Sequence, residues 1–168
     1  MSDYMVHAAF GITERQFKQF FADSLYKHSW FIWPLLMKPK SRGEILLKSD
    51  DMSVYPRIIG NYFDDPDDVR IAVKGIRLAI EVSKTQAMQK YGSKLMEKPV
   101  PGCEDHEHDS DDYWECALKT YTITLCHHSD TCKMGRKDDK TVVVDTRLKV
   151  LGINNLRVVD DSHRRKRR

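Results

Sequence analysis

Asp65-Pro66 is the feature that most restricts how this chain can fold. An aspartate can accept from the free N–H groups of a starting helix. Proline, with φ preset and no N–H to leave unpaired, suits the first helical position. From there Val69, Ala72, Val73, Ile76, Ala79, Ile80 and Ser83 fall on one stripe at helical spacing. Such a helix needs another layer against which to bury its apolar face. The chain has 168 residues, 40% of them hydrophobic, which is enough for a sizeable core in one compact domain.

Other elements follow from the same kind of signal. Thr13-x-x-Gln16 fits a capping box, and Phe17, Phe20, Phe21 and Leu25 then recur on one helical face. Ser29 to Pro39 is rich in aromatic and aliphatic residues and reads as a buried strand, with Pro34 at a bulge or edge. Turn chemistry over Pro39–Gly43 leads to Glu44–Lys48, its expected partner strand. A short helix over Thr85–Tyr91 is stopped by Gly92. Pro99–Asp109 is a charged loop. Ser110 then caps a helix that turns Tyr113, Trp114, Ala117, Leu118 and Tyr121 inward. Beyond it come short β-type stretches at Thr141–Val144, Leu148–Val150 and Leu156–Val159. Helices among strands predict a layered α+β domain, with the final β-rich stretch an addition to another core.

Charge and cysteine content exclude several classes. The net charge is +3, but Arg164 to Arg168 carry +5, so the rest of the chain is net −2. That balance argues against a DNA-coating protein, and the basic end reads as a disordered tail. The longest nearly uncharged apolar run, Trp30 to Met37, is broken by Pro34 and too short to cross a bilayer. The N-terminus carries Asp3 and no basic residue ahead of its apolar stretch, so it does not read as a secretory signal. Cysteines at 103, 116, 126 and 132 contain no C-x-x-C. No glycine-rich phosphate loop is present.

The densest chemistry is His127-His128-Ser129-Asp130-Thr131-Cys132-Lys133-Met134-Gly135. An imidazole near neutral pKa can serve as a general base, and a His pair can equally be structural. Cys103, His106, His108 and Cys132 match no standard zinc spacing. Their acidic surroundings favour a solvated loop. A nucleophilic pair of Cys132 with His127 lacks an orienting third group.

Six strings then match one family in order and spacing. They are PKSRGEILLKSDD (39–51), YPRIIGNYFDDPDDVRIAVKGIRLA (55–79), PVPGCE (99–104), SDDYWEC (110–116), TCKMG (131–135) and VVVDTRLKVLGINNLRVVDDS (142–162). With them the chain resembles the C-terminal portion of glucose–methanol–choline (GMC) FAD-dependent oxidoreductases, insect glucose-dehydrogenase-like members above all. The resemblance implies a substrate-binding domain over 1–125, built on a mainly antiparallel sheet with helices packed on it. It implies a segment over 126–162 that returns to the FAD domain, and leaves 163–168 as a basic tail. It also implies oxidation of an alcohol or sugar CH–OH group, with hydride passing to flavin and the hydroxyl proton to a histidine. His127 stands at that histidine's position, five residues before Cys132. Asp160 matches a flavin contact, and Asp161 and Ser162 follow in the same region. No metal, nucleic acid or membrane enters this reading; the missing FAD domain is the implied partner.

The sequence also departs from the family pattern. Asp130 stands where the family's G-T-C has glycine, His128 and Thr146 stand where proline is usual, and the glycine-rich FAD fingerprint is absent. If the backbone at 130 requires φ > 0, Asp tolerates it better than most residues but brings bulk and charge. Without the cofactor cradle the chain alone is expected to be inactive; the alternative is a non-catalytic product acting through protein binding. Insect members imply a secreted parent, in which Cys103 and Cys116 would pair as a disulfide while Cys126 and Cys132 stay free.

Overall fold

The computed structural model describes residues 11, 13–24, 27–123 and 128–163. The chain divides into two compact units, Met1–Arg42 with Asn61–Ile123, and Gly43–Gly60 with Thr124–Arg168.

The first unit is helical. Helix α1 (Glu14–Phe21) starts in the expected capping box. The Gln16 N–H donates to Thr13 Oγ1 at 3.3 Å, and the Thr13 N–H donates to Gln16 Oε1 at 2.9 Å. Helix α2 (Pro66–Lys84) is capped by Asp65, which accepts from the Asp67 N–H at 2.8 Å. Its stripe buries Val69, Ala72, Val73 and Ile80, while Ile76, Ala79 and Ser83 are half-buried. Thr85 leads into the short helix α3 (Gln86–Gln89), and Gly92 lies beyond it at φ 66°. Helix α4 (Asp111–Tyr121) begins at Ser110, whose hydroxyl accepts from the Tyr113 N–H at 3.0 Å. Phe20, Val100, Cys103, Tyr113 and Ala117 form the buried cluster. Within it the Tyr113 hydroxyl accepts from the Val100 N–H at 3.0 Å, which fastens the 99–109 loop to α4. A Cys103–Cys116 disulfide, Cα–Cα 5.9 Å, ties the same loop to the same helix, as the resemblance implied.

Asp68 is a buried carboxylate within this unit. It accepts from the N–H groups of Lys40 (2.8 Å) and Ser41 (2.7 Å) and from the Ser41 hydroxyl (2.6 Å). Multiple donors are what make a buried carboxylate tolerable. Asn61 Nδ2 donates to the Arg42 carbonyl at 2.9 Å, so the chain is fastened where it leaves and re-enters the unit.

The expected strand over Ser29–Pro39 is not formed. Apolar composition is a strand signal only where a neighbour supplies a hydrogen-bonding ladder, and among the described residues the only sheet joins 44–46 to 57–59. The 29–39 segment runs over α2 instead, with Pro34 Cβ only 3.1 Å from where a Cβ on Gly75 would lie. Trp33 is 48% exposed, Leu35 58% and Met37 80%. No described helix is long and apolar enough to cross a membrane.

The second unit holds the one described sheet, an antiparallel pair of β1 (Glu44–Leu46) and β2 (Arg57–Ile59) in the register Ile45↔Ile58. The partner of the 44–48 stretch is therefore β2, not 29–39. Gly43 is required here, because a Cβ would lie 2.4 Å from the Ile59 carbonyl oxygen. The three expected β-type stretches of the C-terminal part form no strands. They touch through single bridges, Met134↔Val144, Val144↔Val150 and Lys149↔Arg157, around a fully buried Val144. The sheet is thus far smaller than the mainly antiparallel one expected.

Candidate functional site

Turns knot the C-terminal part of the second unit together. The Cys132 N–H donates to the Ser162 carbonyl at 3.0 Å, and the Met134 N–H donates to the His163 carbonyl at 3.1 Å. The Gly135 N–H reaches the Val144 carbonyl at 3.0 Å. A Cβ on Gly135 would lie 2.6 Å from Val142 Cγ2, so the backbone approach needs glycine. Asp139 holds the neighbouring turn. It accepts from the Thr141 hydroxyl (2.6 Å), from Lys133 Nζ (2.9 Å) and from the Thr141 N–H (2.9 Å). Those donors, the Thr141 hydroxyl first, hold its carboxyl far below the ordinary range.

Asp160, Asp161 and Ser162 are brought together at a 3-10 turn, Asp161–His163. Asp160 Oδ1 accepts from the Ser162 hydroxyl and from the Ser162 N–H (2.8 Å), which lowers the Asp160 pKa. Asp160 and Asp161 are exposed and Ser162 is half-buried. His163, assigned to the tail from sequence, ends this turn and donates its N–H to the Asp160 carbonyl at 3.3 Å. Residues 164–168 lie outside the described residues.

His127 and Cys126 also lie outside the described residues. Of the string that follows, His128 and Ser129 are exposed, Asp130 is half-buried, and Cys132 is a half-buried free thiol. Asp130 has φ 73°, so the condition set by the family's glycine is met by an aspartate. Its Oδ1 is buried without a hydrogen-bond partner, as is His163 Nδ1. Asp130 stands out in the sequence as a departure from glycine, whereas His163 is masked there by the basic run that follows it.

The metal reading loses its first member, because Cys103 is in the disulfide. Among the described residues no group of three or more His, Cys, Asp or Glu side chains could hold a metal. An open groove lined by Gly135, Arg136, Lys137, Asp138, Asp145, Thr146 and Arg147 contains none of the candidate residues.

The GMC oxidoreductase family model matches residues 39–164, and the chain belongs to that family. It is 44% identical over 131 residues to a glucose dehydrogenase [FAD, quinone] of Drosophila pseudoobscura pseudoobscura and 43% identical to that of Drosophila melanogaster. Each match covers 78% of this chain and 21% of the relative, so the chain spans about a fifth of those proteins' length. An alcohol dehydrogenase [acceptor] of Pseudomonas putida is 36% identical, over 82% of this chain and 23% of that protein. The fold is similar to that of a solved formate oxidase of Aspergillus oryzae RIB40. There the TM-score is 0.59 at 31% identity, covering 72% of this chain and 20% of the other.

The residues present fit a flavin cofactor. Among the described residues nothing donates to Asp160 Oδ2, and Asp130 Oδ1 and His163 Nδ1 are orphaned nearby in the same knot. Carboxylate acceptors with open lone pairs suit a hydroxyl-rich cofactor chain.

Proposed function

We propose that this chain is the substrate-side, C-terminal part of an FAD-dependent oxidoreductase acting on CH–OH groups of alcohols or sugars. The observation that carries the reading is the Asp160–His163 turn, whose Ser162 and His163 carbonyls accept from the Cys132 and Met134 N–H groups within the family's matched stretch. Asp160, with Asp161 and Ser162, would contact the cofactor; FAD, when bound, supplies the acceptor for the carbon-bound hydride. His127 accepts the hydroxyl proton, a task that requires a neutral imidazole. Residues 126–162 return to an FAD domain supplied by another polypeptide or by the rest of a longer one.

On this reading the chain alone does not turn over, and its parent is a secreted protein. The Cys103–Cys116 disulfide supports the second point, because disulfides form and persist in oxidising compartments. Exposed Trp33, Leu35 and Met37 favour a second reading, in which the chain acts by binding a partner protein.

A chimera tests the proposal. Residues 39–162 of this chain replace the matched stretch of the Drosophila melanogaster glucose dehydrogenase. The expected result is a yellow protein whose visible flavin absorbance bleaches when sugar or alcohol is added without oxygen. A folded, flavin-containing chimera that no alcohol or sugar bleaches refutes the reading.

A further inference from the structure

Lys133 sits between two sets of backbone bonds. Its neighbours Cys132 and Met134 donate their N–H groups to the Ser162 (3.0 Å) and His163 (3.1 Å) carbonyls. Its own carbonyl accepts from the Val143 (2.9 Å) and Val144 (3.2 Å) N–H groups. Extended backbone offers successive residues to opposite neighbours in this way. The 132–134 segment therefore joins the Asp160–His163 turn to the stretch that follows Asp139.

The lysine side chain adds a second tie to that stretch. Lys133 Nζ donates to Asp139 Oδ2 at 2.9 Å and to Thr141 Oγ1 at 2.5 Å. A hydrogen bond between charged groups is stronger than a neutral one. The Lys133 side chain is 27% exposed, whereas Lys18, Lys84 and Lys119, each paired within one helix, are more than half exposed. Exposed pairs of that kind add little, and a more enclosed pair is screened less. Asp139 would keep the Thr141 hydroxyl and N–H as donors without the lysine, so its own turn does not depend on Lys133. What the lysine supplies is the tie between that turn and the segment that holds the Asp160–His163 turn.

We propose that Lys133 is a positioning residue, whose bonds to Asp139 and Thr141 fix the 132–134 segment and through it set the Asp160–Ser162 turn for cofactor binding. It rests on the cofactor contact proposed above.

The test has two arms. In the full chain, amide hydrogen exchange is measured for the wild type, Lys133→Met and Lys133→Arg. The Cys132 and Met134 amides are expected to exchange on the order of tenfold faster in Lys133→Met and at the wild-type rate in Lys133→Arg. The Val150 amide, bonded to the Leu156 carbonyl elsewhere in the same unit, is expected to keep its rate throughout, which a general loosening of the unit would not allow. In the folded, flavin-free chimera, FAD is titrated against the same three forms. Affinity is expected to fall on the order of tenfold in Lys133→Met and to be restored in Lys133→Arg, which keeps the charge and the donors. Unchanged exchange at Cys132 and Met134 in Lys133→Met overturns the proposal, as does equal acceleration at Val150. FAD affinity that Lys133→Met leaves intact, or that Lys133→Arg fails to restore, overturns it too. Each of these results leaves the cofactor reading standing. A folded wild-type chimera that takes up no FAD refutes that reading, and this proposal with it.

Discussion

The two units are held by different physics. In the first, ten hydrophobic residues are buried among those described, Tyr113 at 2% exposure included, and a disulfide joins the core cluster to helix α4. In the second, Val144 is the only fully buried hydrophobic residue among those described. Its shape comes from aspartates that bind their own turns: Asp139 at Thr141, Asp145 at Arg147 and Lys149, and Asp160 at Ser162. Apolar burial supplies stability, whereas aspartate-held turns supply geometry with little burial behind it. The candidate site lies in the second kind of structure, the low-stability end from which functional loops are drawn.

The largest expected effect sharpens that contrast. Cys103→Ala with Cys116→Ala should lower stability by about 3 kcal/mol, as for a loop of this length, in chemical denaturation. Backbone amide shifts in the second unit should stay unchanged apart from global unfolding. Next is Gly135→Ala, which forces a Cβ onto Val142 and should cost about 2 kcal/mol by the same measurement. Loss at Gly135 as large as loss of the disulfide would break the contrast.

Acid should separate the units as well. The Thr141 hydroxyl and then Lys133 depress Asp139; the Lys149 and Arg147 N–H groups depress Asp145; the Ser162 hydroxyl and N–H depress Asp160. A carboxylate with a lowered folded pKa contributes stability above its unfolded value, near 3.8 here, and that contribution is lost as pH falls through the folded values. Below about pH 4, hydrogen exchange at Thr141, Lys149 and Ser162 should therefore accelerate before exchange in α4. The smallest effect is a gain: Asp130→Gly should raise stability by about 1 kcal/mol, read from the thermal midpoint.

Local chemistry was legible in the sequence. Thr13, Asp65 and Ser110 cap the helices for which they were read as caps, because capping depends on residues two or three positions away. The Cys103–Cys116 pair came from the resemblance, not from spacing. Long-range pairing was not legible. The 29–39 segment has strand composition but joins no described sheet, and 44–46 pairs with 57–59 through a register that no local signal announces. At the site, Asp130 could be marked as a departure from a glycine, but its orphaned oxygen depends on what surrounds it in space. His163 was hidden behind the arginines that follow it.

We propose that this chain brings the proton acceptor and a flavin contact to an alcohol- or sugar-oxidising flavoenzyme. The direct measurement is the rate of anaerobic flavin bleaching by sugar in the chimera, with and without His127→Ala. The substitution is expected to leave flavin content intact and to slow bleaching by about 100-fold or more. Equal rates in the two proteins, with flavin bound in both, would contradict it.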